Sequence, residues 1–350
     1  LAASGVAAAQ DLGTVEPKPL PALEDPSDPK TPAKELFGRM TTSAPLAART
    51  IGYYTSGCLA GGVALPINGP TWQVMRLSRN RNWGHPDLIR FVERLAVDAR
   101  GNDSWSGLLV GDLSQPRGGP SPSDHASHQI GLDADIWLTP MPDRRLTPKE
   151  REDLGATNML GDFKLTVDPA IWTPTHVRLI KRASTYAEVE RVLVHPAIKK
   201  ALCEAAGKDR EWLKKVRPIW GHNTHFHVRI ACPAGSPTCT GQAPPPGDDG
   251  CGKELDDWMQ RLSAPVKPAP ADAPPAPAAK PLLVDQLPQE CRYVLETTEP
   301  EPGRLARSAV AIKTAAKAAQ RATRKAARKA VELVSGPGRH ATKTEPAAAK

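Results

Sequence analysis

Three imidazoles fall within six residues of the stretch "GHNTHFHVRIAC", at His222, His225 and His227, where the chain runs into an apolar, strand-like segment. On a strand, His225 and His227 point to the same face, roughly 7 Å apart, with Phe226 turned into the core. One of the pair can then bind a metal while the other reaches a substrate or a metal-bound water. A second cluster lies about a hundred residues earlier in "DHASHQIGLDAD", which offers His125, His128 and, seven residues beyond His128, Asp135. Histidine, aspartate and histidine form an N/O donor set suited to zinc that leaves the fourth tetrahedral position for water, as in a catalytic rather than a structural site. Zinc lowers the pKa of such a water to about 7 and polarises a carbonyl oxygen, so amide hydrolysis is the expected chemistry. With His128, Asp135 and His227 as ligands, His225 is the general base or a stabiliser of the transition state. Five of the nine histidines sit in these two clusters. His85, His176 and His195 read as structural residues, and His340 belongs to a basic tail.

The segments that must position these groups carry readable periodicity. "WQVMRLS" and "GLLVGDLS" read as strands, and "HPDLIRFVERLAVDAR" as a helix with Pro86 at its first position and Leu88, Val92 and Leu95 on one face. "QPRGGPSPSDHASHQIG" is too rich in Gly, Pro and Ser to be regular. "LDADIWL" then alternates, with Asp133, Asp135 and Trp137 on one face and Ala134 and Ile136 on the other. A helix over "TPTHVRLIKRAST", a strand over "VERVLVH", a helix from Pro196 to Gly207 and the strand "HFHVRIAC" follow. The pattern is α+β, with a mostly antiparallel sheet and flanking helices around a zinc site.

The chain has 350 residues but only 5% aromatics, and proline and alanine crowd both its first forty-odd residues and the segment from Ser263 to Pro288. The expected organisation is a signal-peptide remnant over 1–10, a Pro-rich leader over 11–50, a zinc peptidase domain over 51–262, a Pro/Ala-rich strap over 263–298 and a basic tail over 299–350. Residues 301–350 hold twelve Lys/Arg against three Asp/Glu, so the overall charge of +8 leaves about −1 for everything before them. The high pI describes the tail, and no specific nucleic-acid binding is expected of the core. Lys313, Lys317, Arg321, Arg324, Lys325 and Arg328 recur near helical spacing in an alanine-rich background, which suggests disorder alone and a helix on an anionic surface. No run of 18 apolar residues exists, so no membrane span is expected. The six cysteines contain no C-x-x-C pair, which argues for disulfides in an oxidising compartment. Cys232 and Cys239 bracket a short turn-rich loop that a local bridge could close; the other pairings stay open on spacing alone.

The order H-x6-D (His128 to Asp135) followed by H-x-H (His225 to His227) resembles the zinc peptidases grouped with lysostaphin, D-Ala-D-Ala carboxypeptidases and the hedgehog signalling domain. More narrowly, "QVMRLSRNRNWGHPDLIRF", "DHASHQIGLDADIWL", "KDREWLKKVRP" and the H-x2-H-x-H end look like penicillin-insensitive murein endopeptidases, from about Thr55 to Cys291. That resemblance implies a periplasmic metallopeptidase cutting the D-alanyl to diaminopimelyl crosslink of peptidoglycan. It places the metal ligands on His128, Asp135 and His227 and further active-site histidines on His225 and His222, with His125 available to an auxiliary metal. It also implies the disulfides Cys58–Cys291, Cys203–Cys251 and Cys232–Cys239. With no serine acyl-enzyme in the scheme, penicillin should not inhibit. Two other readings compete: a zinc carboxypeptidase trimming a free D-Ala end, and a non-catalytic wall-binding protein. The expected partner of the tail is an anionic envelope surface.

Overall fold

The structure, a computed structural model, describes residues 20–123, 125–161, 164–264 and 280–298. The expected signal remnant, much of the Pro/Ala-rich strap and the basic tail lie outside the described residues. The described residues belong to one compact unit, Leu1–Glu299.

In chain order, α1 (Ala33–Phe37) precedes a hairpin of β1 (Arg49–Tyr53) and β2 (Ser56–Ala60), followed by β3 (Val63–Ala64), β4 (Trp72–Val74) and β5 (Trp83–Gly84). Next come α2 (Pro86–Asn102), β6 (Leu108–Val110), β7 (Asp133–Trp137), α3 (Pro148–Asp153), α4 (Pro174–Thr185) and β8 (Val189–Val194). The chain continues through α5 (Pro196–Ala205), β9 (Val216–Pro218), β10 (His225–Ile230), α6 (Lys253–Ser263) and α7 (Gln289–Glu296).

Six strands form one mixed sheet in the order β4-β6-β7-β10-β8-β9. The three inner pairings, β6/β7, β7/β10 and β10/β8, are antiparallel, whereas β4/β6 and β8/β9 are parallel. Parallel neighbours need a crossover; α2 supplies one between β4 and β6, and α5 the other between β8 and β9. These helices start as their sequences suggest, with Pro86 and Pro196 in the first turn and the preceding His85 and His195 accepting the N–H of Asp87 and Ala197. His176 holds the first turn of α4 through Thr173. All three described histidines outside the clusters therefore have structural jobs.

The sheet's core face is made by Ala134 and Ile136 of β7, Phe226 and Val228 of β10, and Val192 and Val194 of β8. Against it pack Leu88, Phe91, Val92 and Leu95 of α2 and Leu179 and Ile180 of α4. The alternate residues, Asp133, Asp135, His225, His227 and Arg229, face the other way. The strand expected over "WQVMRLS" stops at Val74, because Arg76 takes a left-handed conformation (φ 56°) and its N–H bonds Arg151 O, turning the chain toward α3.

Part of the Pro-rich leader and the end of the strap fold together. Ala33, Phe37 and Ala44 pack with Cys58, Leu287, Cys291 and Val294 in a second core, separate from the main one. The Ala33 N–H donates to Leu282 O, and the buried Arg117 guanidinium donates to the last carbonyls of α7, Val294 O and Leu295 O. Disulfides join Cys58 to Cys291, Cys203 to Cys251 and Cys232 to Cys239, and no cysteine is free. No helix among the described residues is long and apolar enough to cross a membrane.

Candidate active site and metal centre

β7 and β10 lie side by side with His227 opposite Asp135 and Arg229 opposite Asp133. The two-residue period of each strand and the register between them thus set four charged or ligating groups on one patch. His128 joins from the irregular loop before β7. Its backbone is left-handed (φ 68°), and its N–H donates to Asp133 Oδ2 at 2.9 Å.

Asp135 is the centre of the cluster. Its carboxylate oxygens lie 3.1 Å from His227 Nδ1, 3.4 Å from His128 Nε2, 3.6 Å from His125 Nδ1 and 3.7 Å from His225 Nε2. Ligand atoms of His125, His128 and Asp135 fall within 4.8 Å of one another, which makes these three a candidate metal site. The His227 ring lies 4.8 Å from that of His128, so it borders the same space. His225 faces the centre with Nε2, while its Nδ1 contacts Thr224 Oγ1 at 3.2 Å. His222, left-handed at φ 55° after Gly221, stands one layer out, its ring 4.9 Å from that of His225 and 5.8 Å from that of His227.

The residues fit a metal ion on structural grounds. Both ring nitrogens of His128 are buried without a hydrogen-bond partner, a costly state for polar atoms. Imidazoles converging on one carboxylate form a borderline N/O donor set of the kind zinc takes.

Charge is unevenly spread over the cluster. Burial opposes ionisation of Asp135, yet the imidazoles of His128 and His225 hold its carboxyl well below the usual carboxylate range. Burial likewise disfavours a charged His227, but Asp133 and Asp135 on either side push it up to about 9. The space between the two carboxylates thus favours positive charge. His225 and His125 are lowered, chiefly by burial, and His222 falls to about 4 through burial and the neighbouring His227 and His225. His222 and His225 are thus neutral imidazoles near neutral pH, able to accept a proton.

The cluster forms the floor of an open cleft of about 590 Å³, whose walls include Tyr53 and Thr55 of the β1–β2 hairpin, Leu193, Ile219, Trp220 and Gln242. Trp220 stands exposed at its lip. Sequence reasoning passed over Asp112, Arg229 and Trp220, and placed Asp133 beside Asp135 without a role. Asp112 is buried, receives Arg79 and Arg81, and lies 3.9 Å from His125 Nε2. Alternation puts Arg229 on the face of His227, but only the pairing of β7 with β10 brings it to Asp133.

A hydrolase built around a candidate histidine–aspartate metal centre is the class that this α+β fold and site define. Residues 50–296 match the family model described as penicillin-insensitive murein endopeptidase. Curated relatives of that description include one from Klebsiella pneumoniae subsp. pneumoniae, 42% identical over 250 residues that cover 71% of this chain and 87% of the relative. Another, from Haemophilus influenzae, is 44% identical over 257 residues, covering 71% of this chain and 83% of the relative. The chain belongs to the penicillin-insensitive murein endopeptidase family.

Proposed function

We propose that the chain hydrolyses peptidoglycan crosslinks at the D-alanyl–diaminopimelyl amide, with zinc held by His128, Asp135 and His227 and with His125 available to an auxiliary ion. The observation that carries this reading is the Asp135 carboxylate ringed by four imidazoles at the floor of an open cleft. Zinc bound there supplies Lewis-acid activation of water and of the amide carbonyl. His225 is the residue that moves the proton. It is neutral, its Nε2 faces the centre, and Thr224 steadies its other nitrogen, so it can take a proton from the attacking water and deliver it to the departing amine nitrogen. His222 packs against it, restricts its ring and keeps a second neutral imidazole beside the leaving group. The cleft walls hold an extended peptide stem, with Tyr53 and Trp220 offering faces to its aliphatic parts. No side chain is acylated in this scheme, so a β-lactam finds no nucleophile to trap.

Three disulfides and a wall substrate support a periplasmic location. The excess of positive charge in residues 301–350 supports binding of that segment to an anionic envelope surface, by sequence-independent electrostatics.

Digestion of purified sacculi, with fragments identified by mass, tests the reading. Crosslinked dimers should fall to monomers, a chelator should stop the reaction, and zinc should restore it. Release of free D-Ala with dimers intact would instead mark a carboxypeptidase, and no release at all a wall-binding protein. A chain ending at Thr298 should lose the salt-sensitive part of sacculus binding; unchanged salt dependence would sink the role given to the tail.

A further inference from the structure

Two aspartates, Asp133 and Asp135, share one face of β7, and their surroundings differ in kind. Asp135 is met only by imidazoles among its close side-chain contacts, whereas Asp133 already holds a permanent cation: Arg229 donates from Nε to Oδ1 at 2.8 Å and from Nη2 to Oδ2 at 3.2 Å. Arg229 is itself fixed on every side. Its guanidinium lies 3.9 Å from the centroid of the Tyr54 ring, and its Nη1 donates to Gln242 Oε1 at 2.8 Å. The Tyr54 hydroxyl in turn donates to Glu190 Oε2 at 2.8 Å. Asp133 is fully buried within this frame and reaches both histidine-bearing segments of the centre. Oδ2 accepts the backbone N–H of His128, holding that residue in its left-handed turn, and Oδ1 lies 3.1 Å from His227 Nε2.

From this arrangement we infer that Asp133, clamped by Arg229, is a positioning residue for the metal centre, which turns His227 to present Nδ1 toward Asp135 and holds the His128 loop in register. The inference rests on the reading of His128, Asp135 and His227 as the ligands. A second ion on Asp133 would sit beside the guanidinium, so the two carboxylates divide the work: one ligates, the other orients. Carboxylates in such outer positions fix ring orientation and tautomer, and their loss typically weakens metal binding by about 10- to 100-fold.

The test uses the full chain stripped of metal and titrated with zinc against a chromophoric chelator. Asp133→Asn and the charge-neutral pair Asp133→Asn/Arg229→Gln should each weaken zinc by about 10- to 100-fold, with far-UV dichroism unchanged and Asp135→Asn binding far more weakly still. A second readout needs no variant. In the zinc-loaded wild type, a long-range ¹H–¹⁵N spectrum should show His227 carrying its proton on Nε2 and none on Nδ1. A folded Asp133→Asn protein with wild-type zinc affinity, or a His227 whose proton sits on Nδ1, overturns the inference while leaving the ligand set standing. Failure of the wild type to compete with the chelator overturns the ligand set and the inference with it.

Discussion

His225 and His227 are two residues apart and share a face, yet their environments separate them. His227 is wedged between two carboxylates and is pushed up to about 9, whereas His225 touches Asp135 only at 3.7 Å and is lowered by burial. The closer approach of His227 to the Asp135 carboxylate supports its proposed part as ligand and leaves His225 for the proton, a division that spacing alone does not make. Replacing His225 by Ala is expected to cut crosslink hydrolysis by about 10²-fold or more, the usual worth of a general base, with zinc content by atomic emission unchanged. Full activity with zinc bound would remove the role given to it. The clustering of five histidines was visible in the sequence because ligand chemistry leaves a compositional trace. The parts of Asp133 and Arg229 were not, since an aspartate and an arginine in strands look like ordinary surface charges until their partners are known.

Among the elements, the β7/β10 pair does most to build the site, and the helices at the sheet's edges do most to hold it. α5 begins at His195, whose neutral Nδ1 accepts the Ala197 N–H at 3.1 Å. Burial, aided by Lys164, lowers its pKa to about 4. The unfolded chain, near the ordinary value of about 6.5, binds more protons than the folded one between those limits, so this group's stabilisation is complete above pH 6.5 and is lost as pH falls toward 4. Urea unfolding should show a flatter stability slope between about pH 4 and 6.5 in His195→Asn, which keeps a capping oxygen but cannot titrate. His195→Ala should instead lose about 1 kcal/mol at pH 7.5. An unchanged slope in the Asn variant would mean that the cap does not carry the linkage. Helix starts were legible in advance because His-Pro and Thr-Pro pairs act over a few residues. The early hairpin and the two parallel edge pairings were not, since short strands such as Leu108–Val110 acquire their partners through crossovers.

On a larger scale, a second core couples the two ends of the described residues. Cys58–Cys291 closes a separation of 233 residues, and α7 is further held by Arg117 at its final carbonyls. Removing the bridge in Cys58→Ser/Cys291→Ser should cost about 2–5 kcal/mol. Hydrogen exchange should localise the loosening to α1 and α7, with β7 and β10 still protected. Because the β1–β2 hairpin flanks the cleft through Tyr53 and Thr55, KM should rise more than kcat falls. Equal protection of α7 in the variant and the wild type would show that the second core stands without its bridge.

By itself the sequence determined the donor types, their spacing along each strand, the capped helices, the even set of cysteines and the separation of a basic tail from a nearly neutral domain. These are local or compositional properties, readable from periodicity and count. Only the tertiary structure decided which of the two aspartates on β7 meets Arg229, and that residues 33–44 pack on the far end of the strap. The pairing of Asp133 with Arg229 spans 96 positions and rests on the register of two strands. Register is set by burial of Ala134, Ile136, Phe226 and Val228 against helices distant in the chain, a condition of the whole core that no short stretch contains.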